Sequence, residues 1–241
     1  MNLPEVNMKV SLLNCTPDAM ETLIFTKATR LQMSADRMQD IFAMSYEEKM
    51  IELEYMANTI PSSWEFVHYN IMIENVTRAF THQLVRSRNN SYAQQTMRIL
   101  NVSGFTYETG PSIQTKEQCS LYNDQMDEIQ ASYDRLIEQG VNIEDARGIL
   151  PTNIHTNICV SMNLRSVAEL ISKRSSPRTQ GEYREYLNQL REVILEVHPW
   201  AELFIKNKKQ GAAAKLDQFI QEADPENRIE LIKAVDMLRG Q

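Results

Sequence analysis

Arginines, amides and hydroxyls gather in one stretch of this 241-residue chain. Between Val76 and Tyr107 stand Arg78, Arg86, Arg88 and Arg98, interspersed with Gln83, Ser87, Gln94 and Thr96, and no carboxylate occurs until Glu108. The whole chain carries a net charge of −7, so an acid-free basic segment of this length departs sharply from its surroundings. Guanidinium forks match phosphate oxygens two at a time, and amides and hydroxyls fill the remaining directions. Such a set binds anions and stabilises developing negative charge. It cannot break bonds unaided, so a bound cofactor must supply the reactive atom.

Other chemistries find no support. Cys15, Cys119 and Cys159 are odd in number and far apart, which argues for a reducing compartment without a disulfide framework. His68, His82, His155 and His198 lack paired metal-ligand spacing, so no metal is expected. No glycine-rich phosphate loop of the common nucleotide-binding types is present. The acidic balance argues against nucleic acid and against anionic membrane surfaces as partners. No apolar run approaches the length of a membrane span, and the first residues do not read as a signal peptide, so the expectation is a cytoplasmic protein with one main core.

The elements that must hold the basic segment follow from periodicity. Met8 to Leu13 alternates like a strand, and Thr16-Pro17-Asp18 supplies a helix start. A helix is expected over 46–57, with Met50, Ile51, Leu53 and Met56 on one side; Pro61 then breaks the chain, and Phe66 to Ile73 reads as a strand. Asn75 or Thr77 opens the next helix, where Val76, Phe80 and Leu84 form an apolar stripe and Arg78, His82 and Arg86 a basic one. Beyond a loop from Gly104 to Thr115 come a long helix from Leu121 to Gln139 closed by Gly140, and a short one from Ile143 to Leu150 stopped by Pro151. Ile154 to Met162 reads as a strand, Asn163 as the cap of the following helix, and 179–197 as another amphipathic helix. The class is therefore α/β of the α+β kind, a small central mixed sheet wrapped by helices. A main domain is expected over residues 1–208, with a helical extension over 209–241.

Three motif blocks carry a family resemblance. Glu74-Asn75-Val76-Thr77-Arg78-Ala79, Thr81 to Arg88 and Ser91 to Arg98 resemble the signature of the flavin-dependent thymidylate synthases, Arg-His-Arg, seven residues, then Ser; here the order is Arg86-Ser87-Arg88, seven residues, then Thr96. Ala146-Arg147-Gly148-Ile149-Leu150-Pro151, Asn163-Leu164-Arg165-Ser166 and Arg174 resemble a second block, and Ser62 with Glu65 matches part of an upstream element. The likeness extends over roughly residues 8 to 208 and leaves the extension unassigned.

The resemblance implies conversion of dUMP to dTMP with FAD as cofactor, NADPH and methylenetetrahydrofolate as co-substrates, and a homotetramer with shared active sites. It implies that Gln83, Arg86, Gln94, Thr96, Met97, Arg98, Arg147 and Arg174 surround the nucleotide, with Arg174 the catalytic group that polarises the uracil. It assigns Ser62, Arg86, Ser87, Arg88, Gln94, Asn163, Arg165 and Glu169 to FAD. The chain departs from the pattern at Ser87, Ile60 and Phe66, where the family has histidines, at Ile99 in place of Tyr, and at Glu169, where an amide is common. A hydroxymethylated product, action on UMP or a cytosine nucleotide, and a non-catalytic nucleotide-binding relative therefore stay open. Outside the motifs, Arg78 reads as a structural ion pair or cap, and Trp64 and Trp200 as core or interface residues.

Overall fold

The computed structural model describes residues 7–27, 34–174 and 181–205, without the side chains of Lys173 and Arg174. The expected boundary at 208/209 and the C-terminal helical hairpin lie outside the described residues. Strands β1 (Lys9–Cys15), β2 (His68–Thr77), β3 (Ser91–Gln94) and β4 (His155–Asn163) form one sheet in the order β1-β2-β4-β3. Every pairing is antiparallel, where a mixed sheet was expected. The reason is in the connections: β1 and β2 flank an excursion of helices, and β2 and β4 meet in register from His68↔Asn163 to Thr77↔His155, running in opposite directions.

Alternation decides which face is core. Tyr69, Ile71 and Ile73 on β2 and Thr156, Ile158, Val160 and Met162 on β4 are buried and stand opposite one another in the register. Period-2 side chains on paired strands share a face, so these residues make one apolar surface. Helices α4 (Arg78–Leu84), α7 (Leu164–Arg174) and α8 (Gly181–Val197) contribute to the same core. Phe80 packs its ring 5.2 Å from Tyr183 and 5.3 Å from Tyr186, and removing it would cost about 3–5 kcal/mol by the usual cavity penalty. Trp64 and Trp200 are both buried core residues, as expected, and both meet Phe204 edge-on.

The remaining elements are α1 (Ala19–Lys27), α2 (Arg37–Ala43), α3 (Tyr46–Thr59), a 3₁₀ turn (Pro61–Phe66), α5 (Lys116–Glu138), α6 (Ile143–Ala146) with a 3₁₀ turn (Arg147–Ile149), a 3₁₀ turn (Pro199–Ala201) and α9 (Glu202–Ile205). Several details differ from expectation. Thr16 does not cap α1; its hydroxyl accepts from the His68 amide, while Asp18, at φ 47, takes the turn into the helix. Ile51 is 68% exposed although Leu53 and Met56 are fully buried. Phe66 ends the 3₁₀ turn and is exposed, so β2 begins at His68 and runs on to Thr77. Strand β3, helix α2 and the segment Pro199–Ile205 were not foreseen. Gly140, at φ 80, stops α5 as anticipated.

Candidate functional site

Thr77 is the hinge on which the basic segment turns. It ends β2, and its hydroxyl accepts from the Phe80 amide to cap α4. Glu182, at the start of α8, holds that residue twice, accepting from the Thr77 amide and hydroxyl at 2.7 Å each. Burial pushes the Glu182 carboxyl up; the Thr77 bonds pull it down, Glu108 raises it and His155 lowers it. The first residue after this hinge is Arg78, whose amide donates to Ile154 O at 3.1 Å.

Around the same end of β4 three arginines come together. Thr96 Oγ1 accepts from the Arg98 amide at 3.0 Å, and Arg98 Nε reaches Glu144 Oε2 at 3.0 Å. Arg147 Nη2 lies 3.7 Å from Glu144 Oε1, and its Nε donates to the Glu144 carbonyl at 3.0 Å. Arg78 Nη2 donates to Gln95 O at 2.9 Å, while its Nε is buried without a partner. Burial lowers the Arg78 pKa, and repulsion from Arg147 adds to the shift. Arg78, Thr96 and Met97 line a cavity of about 300 Å³, together with His155 and Thr156, whose hydroxyl is also buried and unpartnered. Two arginines thus share one carboxylate, with Arg78 close by, beside a polar cavity. This arrangement suits a doubly charged phosphate.

The far end of β4 is built differently. Asn163 Oδ1 accepts from the Ser166 amide at 2.8 Å and so caps α7, as expected. Arg165, on the first turn, pairs with Glu65 at 2.6 Å and with Glu169 at 3.1 Å, and those bonds, Glu65 first, raise its pKa. Ser62 is exposed on the 3₁₀ turn that carries Glu65. Tyr92 on β3 donates its hydroxyl to Leu84 O and Ser87 O at 2.9 Å, which ties down the turn bearing Arg86, Ser87 and Arg88. Arg86 and Arg88 are exposed and form no ion pair among the described residues. For FAD the donor set fits: two unneutralised guanidinium groups and a capped helix start suit a diphosphate. Arg165 fits it less well, since two carboxylates already hold it.

The expected residues therefore divide. Thr96, Met97, Arg98 and Arg147 lie together at the Ile154 end. Ser62, Asn163, Arg165 and Glu169 lie together at the Asn163 end. Gln94, at the end of β3, donates to Thr81 Oγ1 at 3.0 Å, and half-buried Gln83 lies in α4 ahead of Arg86 and Ser87. Arg174 is the last residue of α7, and its side chain lies outside the described residues. Nine residue steps lead from Ile154 to Asn163, roughly 30 Å of extended chain. Arg78, expected to serve as a structural ion pair or cap, forms no ion pair among the described residues; its Nη2 ties down Gln95 O, and it also lines the cavity.

Comparison with known proteins fits this architecture. The family model described as thymidylate synthase complementing protein matches residues 11–200. A flavin-dependent thymidylate synthase of Sulfurisphaera tokodaii is 31% identical over 198 residues, 80% of this chain and 75% of the relative. Those of Nitratidesulfovibrio vulgaris and Clostridium tetani are 30% and 29% identical, covering 84% and 80% of this chain and 87% and 85% of the relatives. With the signature blocks in order and a single family model spanning most of the chain, this protein belongs to the thymidylate synthase complementing protein family, the flavin-dependent thymidylate synthases.

Proposed function

We propose that this chain makes thymidylate by FAD-dependent transfer of a one-carbon unit from methylenetetrahydrofolate to C5 of dUMP, with NADPH as reductant, in the cytoplasm. The observation that carries the reading is the meeting of Arg98 and Arg147 on Glu144, beside Thr96 and Arg78. In the bound complex Arg98, Arg147 and Thr96 hold the 5′-phosphate, and Arg78 adds a third positive charge at close range. Gln83, Arg86, Gln94 and Met97 complete the nucleotide's surroundings. Arg174 polarises a uracil carbonyl and favours ionisation at N3, which makes C5 more nucleophilic towards the one-carbon donor; its support is the motif context alone. Arg86, Ser87, Arg88, Ser62, Asn163, Arg165 and Glu169 hold FAD. When bound and reduced by NADPH, the flavin would supply the hydride that completes the methyl group, so no protein nucleophile is required.

The assembly is a homotetramer with shared active sites. A nucleoside monophosphate is far shorter than the strand separating the two clusters, and both clusters are open to solvent in one protomer. The protein, purified and supplied with FAD, NADPH, methylenetetrahydrofolate and dUMP, is expected to yield dTMP by mass spectrometry. A hydroxymethylated product, or turnover of UMP or dCMP but not dUMP, would redirect the reading to another reaction of the same site. Failure to bind FAD would remove it.

A further inference from the structure

The phosphate cluster contains a negative charge that the proposed function does not use. We infer that Glu144 is a resident anion of the phosphate site: it occupies Arg98 and Arg147 in the free protein, must leave when a phosphate enters, and thereby weakens the hold on phosphorylated nucleosides while leaving unphosphorylated ones untouched. This inference rests on the nucleotide reading of the site. Each oxygen of the Glu144 carboxylate serves a different arginine, Oε2 facing Arg98 Nε at 3.0 Å and Oε1 facing Arg147 Nη2 at 3.7 Å. That is the geometry in which two oxygens of a phosphate would bridge the same pair.

The position of Glu144 allows it to leave. Its side chain is 40% exposed and that of Arg98 is 65% exposed, so both pairs are screened and weak. Released into water, the carboxylate is fully solvated. Arg147 stays anchored meanwhile, because its Nε donates to the Glu144 carbonyl and not to the departing oxygens. Asn142 caps the short helix by accepting from the Glu144 amide at 3.0 Å, which holds the backbone in place. The exchange favours a phosphate ester, which carries about −1.5 to −2 at neutral pH against −1 for the carboxylate. A nucleoside without phosphate offers the arginines nothing in return and leaves the Glu144 pairs intact.

The test compares native protein, loaded with FAD, with Glu144→Gln by calorimetric titration of dUMP, deoxyuridine and inorganic phosphate. Glu144→Gln is expected to bind dUMP about three- to tenfold more tightly and inorganic phosphate more tightly by a similar factor, as suits two weak surface pairs. Deoxyuridine affinity should not move, which separates loss of a competing charge from a general change in the pocket. Glu144→Ala should shift dUMP in the same direction, and melting curves confirm that each variant folds. Unchanged or weaker dUMP binding in both variants would overturn the inference and make Glu144 a support for the arginines. Absence of dUMP binding in native and variant proteins alike would instead remove the nucleotide reading beneath it.

Discussion

The two ends of β4 hold arginines in opposite electrostatic company. At the Ile154 end Arg98 and Arg147 share one carboxylate, Glu144, with Arg78 close by, while Glu108 faces His155 and Glu182 holds Thr77; a cavity with buried unpartnered polar atoms adjoins them. At the Asn163 end one arginine, Arg165, is held by two carboxylates, Glu65 and Glu169. In the first, Arg98 and Arg147 outnumber the one carboxylate they hold and so have positive charge to spare. In the second, Arg165 is already held by two carboxylates. Any strong hold on a diphosphate there must come from Arg86 and Arg88, or from another protomer. Arginine content alone would have rated the two ends alike; the partners each arginine already has distinguish them.

The largest expected effect follows from that surplus. Arg98→Ala or Arg147→Ala should raise the Kd for dUMP by about 10- to 100-fold, since each removes a charge-assisted bond worth about 1.5–3 kcal/mol. FAD affinity, read by flavin fluorescence, should stay within twofold. Parallel losses of both ligands would erase the distinction between the ends. A smaller effect is expected at the other end. Arg165→Ala should loosen FAD by less than about tenfold, because its guanidinium is committed to Glu65 and Glu169. The double variant Arg86→Ala, Arg88→Ala should loosen FAD more than Arg165→Ala does. The reverse order would place the flavin phosphates on Arg165.

The ends should also differ in how pH acts on stability, with the smallest effects of all. Glu182 grips Thr77 at the Ile154 end, and burial raises its pKa above 4.5. An unfolded chain releases that proton near 4.5 and the folded one only at higher pH, so stability is lost as pH rises through this window. His198 sits near the Asn163 end, its Nδ1 3.0 Å from the hydroxyl of Tyr69, and burial lowers its pKa below 6.5. The unfolded chain takes that proton first, so stability is lost as pH falls below 6.5. Glu182→Gln should therefore flatten the melting-temperature profile above pH 4.5, and His198→Gln should flatten it below 6.5. Matching slopes in both variants would count against the two environments.

Legibility in the sequence followed from range of interaction. The stripe Val76, Phe80 and Leu84, the alternation along β4, the Thr77 and Asn163 caps and the Gly140 stop all depend on neighbours within a few residues, and the fold shows each of them. Strand β3 escaped because Ser91-Tyr92-Ala93-Gln94 is a short edge strand without an apolar alternation. Ile51 shares the spacing of Leu53 and Met56 yet faces outward, because periodicity fixes a stripe and not its width. For the proposed site, the motif blocks named residues that the fold gathers at the two ends of β4. The pairing of Arg98 with Glu144 spans 46 residues, and that of Arg165 with Glu65 spans 100, so no local pattern announces either.

The central claim is that neither end of β4 makes a working site within its own protomer. Mixed tetramers test it most directly, assembled from Arg98→Ala, Arg147→Ala protomers and from Arg165→Ala, Asn163→Ala protomers, each inactive or impaired alone. Shared sites predict that co-assembly restores dTMP formation well above either parent, because some interfaces then pair an intact phosphate cluster with an intact flavin cluster. Mixed tetramers confirmed by native mass spectrometry, yet no more active than the parents combined, would contradict it.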